Sequence, residues 1–317
     1  MNKSTTPILG HLRNFFEYLD LEEGLSRKTQ ETYSRLFKQF LYWLKINHLE
    51  GLTPHELTED HVWQYRVFLS KRVNKQTHQP LEKSTQNYYL IALRALLKYF
   101  TDRNITSLPS EKVKLAKLRP DERAIKFLTL EQIKKLLDSI KTSMTAGIRN
   151  RAILEILFST GLRVAELVSL DREQIKIGPE TNDLEIVVVG KGNRPRPVYF
   201  SKRSIGWLKK YLETRHYDKE KALFINYKGP TNATRRLSAR SVENIVKRCA
   251  ILADIPAFTS PHTLRHSFAT DLLMQGVDLR QVQEFLGHKN IGTTQIYAHV
   301  TSKKLRDTHR KFHSLNS

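Results

Sequence analysis

The segment Ser260–Arg265 combines a helix start with two side chains that bind anions. Serine before proline favours a helix N-terminus, because Ser260 caps free N–H groups and Pro261 stands where its missing N–H costs nothing. His262 and Arg265 are three residues apart, so they share one face of that helix. The positive end of the helix dipole lies at the same place. The segment therefore predicts an anion site.

Arg163 and His288 each follow a glycine that is expected to end a helix. Gly161 lies two residues before Arg163, and Gly287 directly precedes His288 after an apolar helix over 278–286. Both side chains are therefore free to point away from the core and into a cleft. A loop histidine on its own is nevertheless more often solvated than functional.

Three further polar side chains give weaker signals. Lys191 lies between two glycines in an expected hairpin turn, where simple solvation is the ordinary role. Tyr297 would by itself most often be half-buried in a core. Glu166 follows Arg163 by three residues and can pair with it or orient another polar group, and a structural ion pair is favoured over a catalytic role. Their meaning depends on the elements that bring them together.

The first hundred residues predict four amphipathic helices. Apolar residues recur at helical spacing in four successive groups, which begin near Ile8, Tyr33, Val62 and Tyr88. Four such helices can share one core, in which their aromatic residues are expected to pack. This pattern predicts a helical bundle domain over residues 1–105.

A polar segment then separates the bundle from a second domain. The apolar periodicity fades and two prolines appear, so residues 106–124 are expected to form a linker of ordinary flexibility. The second domain is expected over residues 125–317. Its first helix is predicted by a capping-box pattern formed by Thr129 and Gln132.

The strand signals all lie in the second domain. Ile175 and Ile177 alternate with polar residues, 186–189 is a β-branched run, and 198–200 closes the set. Helical patterns precede and follow this region. The sequence therefore predicts a mainly α protein, in which a helical bundle is followed by a mostly helical domain with a small antiparallel β-sheet.

The charge balance indicates a polyanionic partner. The 317 residues have 53 Lys and Arg against 32 Asp and Glu, a formal net charge of +21. The first 110 residues contribute +4 of this charge and the remainder +17. Solubility is the simpler explanation for excess lysine, but nucleic acid fits this excess better. Most phosphate contacts are then expected in the C-terminal two-thirds.

Composition excludes several other classes of protein. Cys249 is the only cysteine, so an intrachain disulfide and a cysteine-based metal site are both excluded. Residues 1–10 lack the apolar core of a signal peptide, and no stretch approaches the length of a membrane span. A cytoplasmic protein without a metal or cofactor is therefore expected.

The separate signals occur together and in one order, and that order resembles the tyrosine recombinase (phage integrase) family, most closely its Xer type. The similarity runs from about Lys126 to Val300 and is densest in 262–270, 286–288 and 294–297. The N-terminal bundle resembles the family's SAM-like core-binding domain in general pattern, without the additional arm-binding domain of many phage integrases. The family's active-site pattern is matched without departure at six positions, which are Arg163, Lys191, His262, Arg265, His288 and Tyr297.

The resemblance implies a DNA-cleaving and DNA-rejoining chemistry in the second, catalytic domain. Tyr297 would be the covalent nucleophile, which forms a 3′-phosphotyrosyl bond and releases a 5′-hydroxyl. Arg163 and Arg265 would hold the charge of the phosphate oxygens without a metal. No ATP would be needed, because the bond energy stays in the phosphotyrosine.

The resemblance also implies roles for the other matched residues and for the assembly. His262 would accept the tyrosine proton or bond a phosphate oxygen, His288 would stabilise the same oxygens, and Lys191 would protonate the departing 5′-oxygen. Four protomers on two double-stranded sites would react through a Holliday junction. A helical tail over 301–317, anchored by Leu305 and Phe312, would pack on a neighbouring protomer, although an ordinary frayed terminus remains the alternative.

Three functions share this chemistry, and one rival function does not use it. Xer-like resolution of chromosome or plasmid dimers is favoured, with a second recombinase or an accessory protein as a further expected partner. Integration or excision of a mobile element is the alternative. A type IB topoisomerase would relax supercoils without a specific site, and a non-catalytic DNA-binding regulator would gain nothing from the six matched positions.

Overall fold

A computed structural model describes most of the chain. The described residues are 1–74, 78–118, 126–178, 180–190, 195–216, 219–227 and 235–287. The chain divides into two compact units, Met1–Arg123 and Ala124–Ser317. Three predicted site residues, Lys191, His288 and Tyr297, lie outside the described residues, as does the predicted tail helix.

The described part of the N-terminal unit is built on four α-helices. These are α1 (Leu12–Leu21), α2 (Arg27–Ile46), α3 (Glu59–Lys71) and α4 (Lys83–Asp102). Their inward faces share one core that is rich in aromatic rings, including Phe15, Phe37, Phe40, Trp43, Tyr65, Tyr99 and Phe100. The predicted helical bundle is therefore confirmed. Its cause is the helical spacing of large apolar residues, which gives each helix one face to bury.

Residues 106–118 pack against this bundle. Val113 is completely buried in its core. The side-chain amide of Asn87 donates to the carbonyl oxygen of Ala116 at 3.0 Å and accepts from its N–H at 2.8 Å. The linker expected over 106–124 is therefore packed rather than free along this part. Its few apolar residues have no helical spacing, so the pattern does not reveal their burial.

The described part of the C-terminal unit has seven α-helices and a two-stranded sheet. The elements are α5 (Leu130–Asp138), α6 (Thr145–Thr160), α7 (Val164–Ser169), β1 (Leu184–Val189), β2 (Pro195–Phe200), α8 (Lys202–Glu213), α9 (Ala239–Leu252), α10 (Pro261–Gln275) and α11 (Leu279–Leu286). Helix α6 lies at the centre of this unit and is buried on nearly every side. Nothing helical among the described residues is both long and apolar enough to cross a membrane.

The sheet is smaller than the strand signals predicted. Strands β1 and β2 pair antiparallel, with Leu184 opposite Phe200. The alternation of Ile175 and Ile177 wrongly predicted a further strand. A capping box instead bends the chain into a 3-10 turn, Arg172–Gln174, and the irregular segment after it packs both isoleucines against the core. Two alternating apolar residues are too short a signal to distinguish these cases.

Candidate active site

The start of α10 carries the predicted anion-binding pair. Ser260 caps the helix, because its Oγ accepts from the N–H of Thr263 at 3.2 Å, and proline occupies the first helical position. His262 reaches the surface in the first turn, whereas Arg265 is only 4% exposed. The two side chains therefore lie near the same end of the helix, His262 at the surface and Arg265 in the interior.

Arg265 links α10 to the ends of two other helices. One guanidinium nitrogen donates to the carbonyl oxygen of Gly161, which ends α6. The other terminal nitrogen donates to the carbonyl oxygen of Leu286, the last residue of α11, at 2.5 Å. These carbonyls have no partner inside their own helices, so Arg265 caps both C-termini.

Gly161 makes the close approach of α6 and α10 possible. Its φ of +61° is left-handed, and a Cβ built there would lie 2.5 Å from the ring of Phe268. Both facts require glycine. The sharp end of α6 lets the chain reach Arg163 within two residues, at the N-cap position of α7.

Arg163 is held by Glu166 at both its backbone and its side chain. The backbone N–H donates to Oε2 of Glu166 at 2.8 Å, and the guanidinium donates to Oε1 at 2.9 Å. A second guanidinium nitrogen reaches the carbonyl oxygen of Gly287 at 3.5 Å. Arg163 stays 27% exposed. The ion pair that the spacing indicated is therefore present.

Arg196 is a component that the sequence reasoning missed. It lies on β2 and donates to both oxygens of Glu166, at 2.9 Å and 2.7 Å. Burial alone would raise the pKa of Glu166, but the hydrogen bonds from Arg196 and from the backbone of Arg163 lower it to about 2. A charged residue that shares an inward strand face with Val198 and Phe200 is the signal that could have identified it.

Three arginines converge on one turn at the end of α11. The carbonyl oxygens of residues 285–287 accept, in that order, from Arg196, Arg265 and Arg163. The structure thus brings Arg163 and Arg265 to the same turn. Their meeting point directly precedes His288 in the chain.

His262 lies within electrostatic range of both arginines. Partial burial lowers the pKa of His262 below its usual value, and the charges of Arg265 and Arg163 lower it further. His266, one turn along α10 and not assigned from the sequence, has its pKa lowered to about 4 by burial and by His262 and Arg265. Both imidazoles are therefore neutral at neutral pH, and His262 is able to accept a proton or a hydrogen bond.

The described residues offer no site for a metal ion. No three His, Cys, Asp or Glu side chains within the described ranges are grouped closely enough to ligate one. The positive charges here are guanidinium groups, which can bind the oxygens of a phosphate through paired N–H donors.

Two models of known protein families together match most of the chain. The model of the phage integrase family matches residues 126–304, and that of the phage integrase N-terminal SAM-like domain matches residues 12–104. The chain belongs to the phage integrase family. It is a site-specific tyrosine recombinase of the Xer type.

Similar proteins support this assignment over nearly their full lengths. Tyrosine recombinase XerD of Oceanobacillus iheyensis is 32% identical over 314 residues, which cover 95% of this chain and 97% of that protein. XerD of Chlorobaculum tepidum is 35% identical over 315 residues, which cover 95% of each. A crystal structure of XerH recombinase bound to difH substrate, in a pre-cleavage complex, shares the fold at 22% identity with a TM-score of 0.72, covering 96% of this chain and 97% of that one.

Proposed function

We propose that this recombinase cuts and rejoins DNA at a specific site through a 3′-phosphotyrosyl intermediate formed by Tyr297. The observation that carries the proposal is the meeting of Arg163 and Arg265 at the 285–287 turn. His262 is close enough for both charges to lower its pKa. An incoming phosphodiester would meet two guanidinium groups and the N-terminus of α10 together. Such preorganised donors stabilise the charge that develops in phosphoryl transfer.

The remaining roles divide between described and undescribed residues. Arg163 and Arg265 would hold the non-bridging oxygens. His262, whose lowered pKa keeps it neutral, would accept the proton of Tyr297 or donate a hydrogen bond to a phosphate oxygen. His288 and Lys191 lie outside the described residues, and we assign them by family position to phosphate stabilisation and to protonation of the leaving 5′-oxygen.

We further propose that the partner is double-stranded DNA carrying the recombination site and that four protomers act on two such sites. The net charge of +21 supports a polyanionic partner. Among proteins of this fold, XerH has been crystallised with its difH substrate and a λ integrase dimer with a core site. We also propose a cytoplasmic location, because the proposed substrate is chromosomal or plasmid DNA.

The biological role that we favour is Xer-like resolution of chromosome or plasmid dimers. The XerD and XerC proteins to which the chain is similar match it over nearly their whole length, bundle and catalytic unit together. A paired second recombinase or an accessory protein would then complete the reaction. Sequencing the products formed in cells is the direct test: junctions at a mobile element's ends would instead support the integrase role.

Trapping of a covalent DNA adduct tests the reaction itself. The site can be obtained by selecting duplexes that bind the wild-type protein from a random-sequence pool; a nick in the selected duplex then traps the adduct. Tyr297→Phe removes one hydroxyl and no charge, so we expect DNA binding within about threefold of wild type and no adduct, because a phenyl ring has no nucleophilic oxygen.

Tyr42→Phe is the matched control, since Tyr42 lies on α2 of the other unit. It should form the adduct at the wild-type rate. An adduct from Tyr297→Phe above background would assign the nucleophile to another residue.

A further inference from the structure

Arg196 occupies a position where an apolar side chain would normally pack. Along β2, inward and outward residues alternate, and Arg196 points inward in the same row as Val198 and Phe200. It is 8% exposed. A guanidinium buried on an apolar strand face loses its hydration, so the fold must supply partners for it. None of the proposed chemical steps uses this residue.

The partners of Arg196 are the groups that position the phosphate-binding residues. Each oxygen of Glu166 accepts two hydrogen bonds, one from Arg196 and one from Arg163. The carboxylate is therefore saturated and fixed in one orientation, because moving it would break four bonds. Through Glu166, Arg196 sets both the backbone and the guanidinium of Arg163.

The same side chain also supports the turn at the end of α11. Its Nε donates to the carbonyl oxygen of Phe285 at 3.2 Å. Gly287 lies against its stem, since a Cβ built on this glycine would come within 2.8 Å of Cδ of Arg196. The left-handed backbone of Gly287, with φ of +62°, thus packs directly against the side chain of Arg196. The chain leaves this turn directly into His288.

We infer that Arg196 is a positioning residue for DNA cleavage, which holds Arg163 and the 285–287 turn in register with each other. The inference rests on the proposed function of Arg163. It assigns no contact with DNA to Arg196. Its bidentate geometry is what matters, because a lysine would keep the charge but could not bond both oxygens of Glu166 and the carbonyl of Phe285 together.

The test compares Arg196→Lys with Arg151→Lys. Arg151 is equally buried in the same unit and pairs with Glu155 at 2.9 Å, away from the turn. In single-turnover reactions on the nicked selected duplex at saturating protein, we expect Arg196→Lys to slow adduct formation about 10- to 100-fold, because small misplacements of reacting groups have effects of this size. DNA binding should stay within about threefold of wild type. Arg151→Lys should cleave within about twofold of the wild-type rate.

A double variant separates positioning from stability. Replacing a buried ion pair by apolar residues is often neutral or stabilising, so Glu166→Met with Arg196→Met should unfold near the wild-type temperature. We expect its cleavage to remain as slow as that of Arg196→Lys. Wild-type cleavage by Arg196→Lys, or restored cleavage in the double variant, would overturn the inference.

A measurement without DNA makes the result independent of the proposed chemistry. Amide hydrogen exchange in the peptide covering 279–287 should be faster in Arg196→Lys and unchanged in Arg151→Lys. Unchanged exchange in both variants would also overturn the inference. If the wild type forms no adduct while exchange responds as expected, the proposed function fails and the positioning contact stands.

Discussion

The two units of this recombinase carry their charged side chains in opposite ways. Among the described residues of the N-terminal unit, no Lys, Arg, Asp or Glu side chain is buried, and the ion pairs lie at the surface. The described part of the C-terminal unit instead buries several arginines, which are Arg149, Arg151, Arg196, Arg215 and Arg265. The two units thus differ in whether their charged side chains lie at the surface or in the interior.

What surrounds the buried groups differs as well. In the N-terminal core, aromatic rings meet one another edge to face, as Phe15 does with Phe37 and Tyr99. The buried arginines of the C-terminal unit donate to carbonyl oxygens of the chain, as Arg149 does to Ile225. The first unit is held mainly by apolar packing, whereas the second also depends on guanidinium groups that fix the ends of its elements.

The largest expected effect distinguishes the role of Lys191 from that of the two phosphate-binding arginines. If Lys191 is the general acid, Lys191→Ala should slow cleavage of the selected duplex about 10²- to 10⁴-fold, because a 5′-alkoxide needs a proton to leave. A thiolate leaves without one, since thiols have a pKa of about 8.5. On a duplex with sulfur at the bridging 5′ position, Lys191→Ala should therefore cleave at close to the wild-type rate.

Arg163→Ala and Arg265→Ala are the controls for this comparison. They should stay slow on both duplexes, because a sulfur leaving group does not replace the positive charge that stabilises the non-bridging oxygens. Single-turnover rates of the three variants on both duplexes are the measurement. Lys191→Ala that is equally slow on the sulfur duplex would make the lysine a DNA-positioning contact.

A smaller effect is expected on stability when a buried arginine is removed. Arg215 is 1% exposed and donates to the carbonyl oxygens of Ala222 and Leu223, both at 2.7 Å. Arg215→Ala leaves these acceptors buried without that donor, so we expect a loss of about 3 kcal/mol or more. Arg13→Ala, at a side chain 88% exposed on α1, should change the unfolding free energy by less than about 0.5 kcal/mol. Thermal unfolding that shifts equally in both variants would remove the distinction between the units.

The smallest expected effect is the dependence of stability on acidic pH. Glu166 has a folded-state pKa of about 2 against an ordinary 4.5, so its contribution to stability is complete above pH 4.5 and is lost as the pH falls towards 2. The free energy of unfolding of wild type should therefore exceed that of Glu166→Gln by about 3 kcal/mol at pH 6. This difference should shrink as the pH falls from 4.5 towards 2. Glu23→Gln, in an exposed ion pair of the N-terminal unit, should give a much smaller difference. A pH-independent difference for Glu166→Gln would contradict the assignment, and denaturant titrations between pH 6 and 2 measure it.

Local signals in the sequence predicted much of this arrangement. Ser260 and Thr129 cap the helices that they were expected to cap, and Gly161 and Gly287 end theirs in left-handed conformation. These features depend on residues within one turn of each other. The bundle was equally predictable, because helical spacing of large apolar residues specifies which face is buried.

Contacts between distant segments could not be predicted in this way. Arg196 meets Glu166 across 30 positions and Phe285 across 89. No spacing rule connects residues so far apart, and a lone arginine in a strand pattern is ordinarily assigned to the solvent face. The roles of Lys191, His288 and Tyr297 stay predictions from family position.

The two helix ends that Arg265 caps have an electrostatic consequence. A helix C-terminus has roughly half a negative charge, and α6 and α11 both present theirs to this guanidinium. Together the two macrodipoles offset much of one positive charge. Peptide dipoles do not titrate, so this compensation is the same at every pH, unlike that from a carboxylate. Arg265 can therefore remain buried and cationic before any phosphate arrives, with its attraction for an anion moderated rather than cancelled.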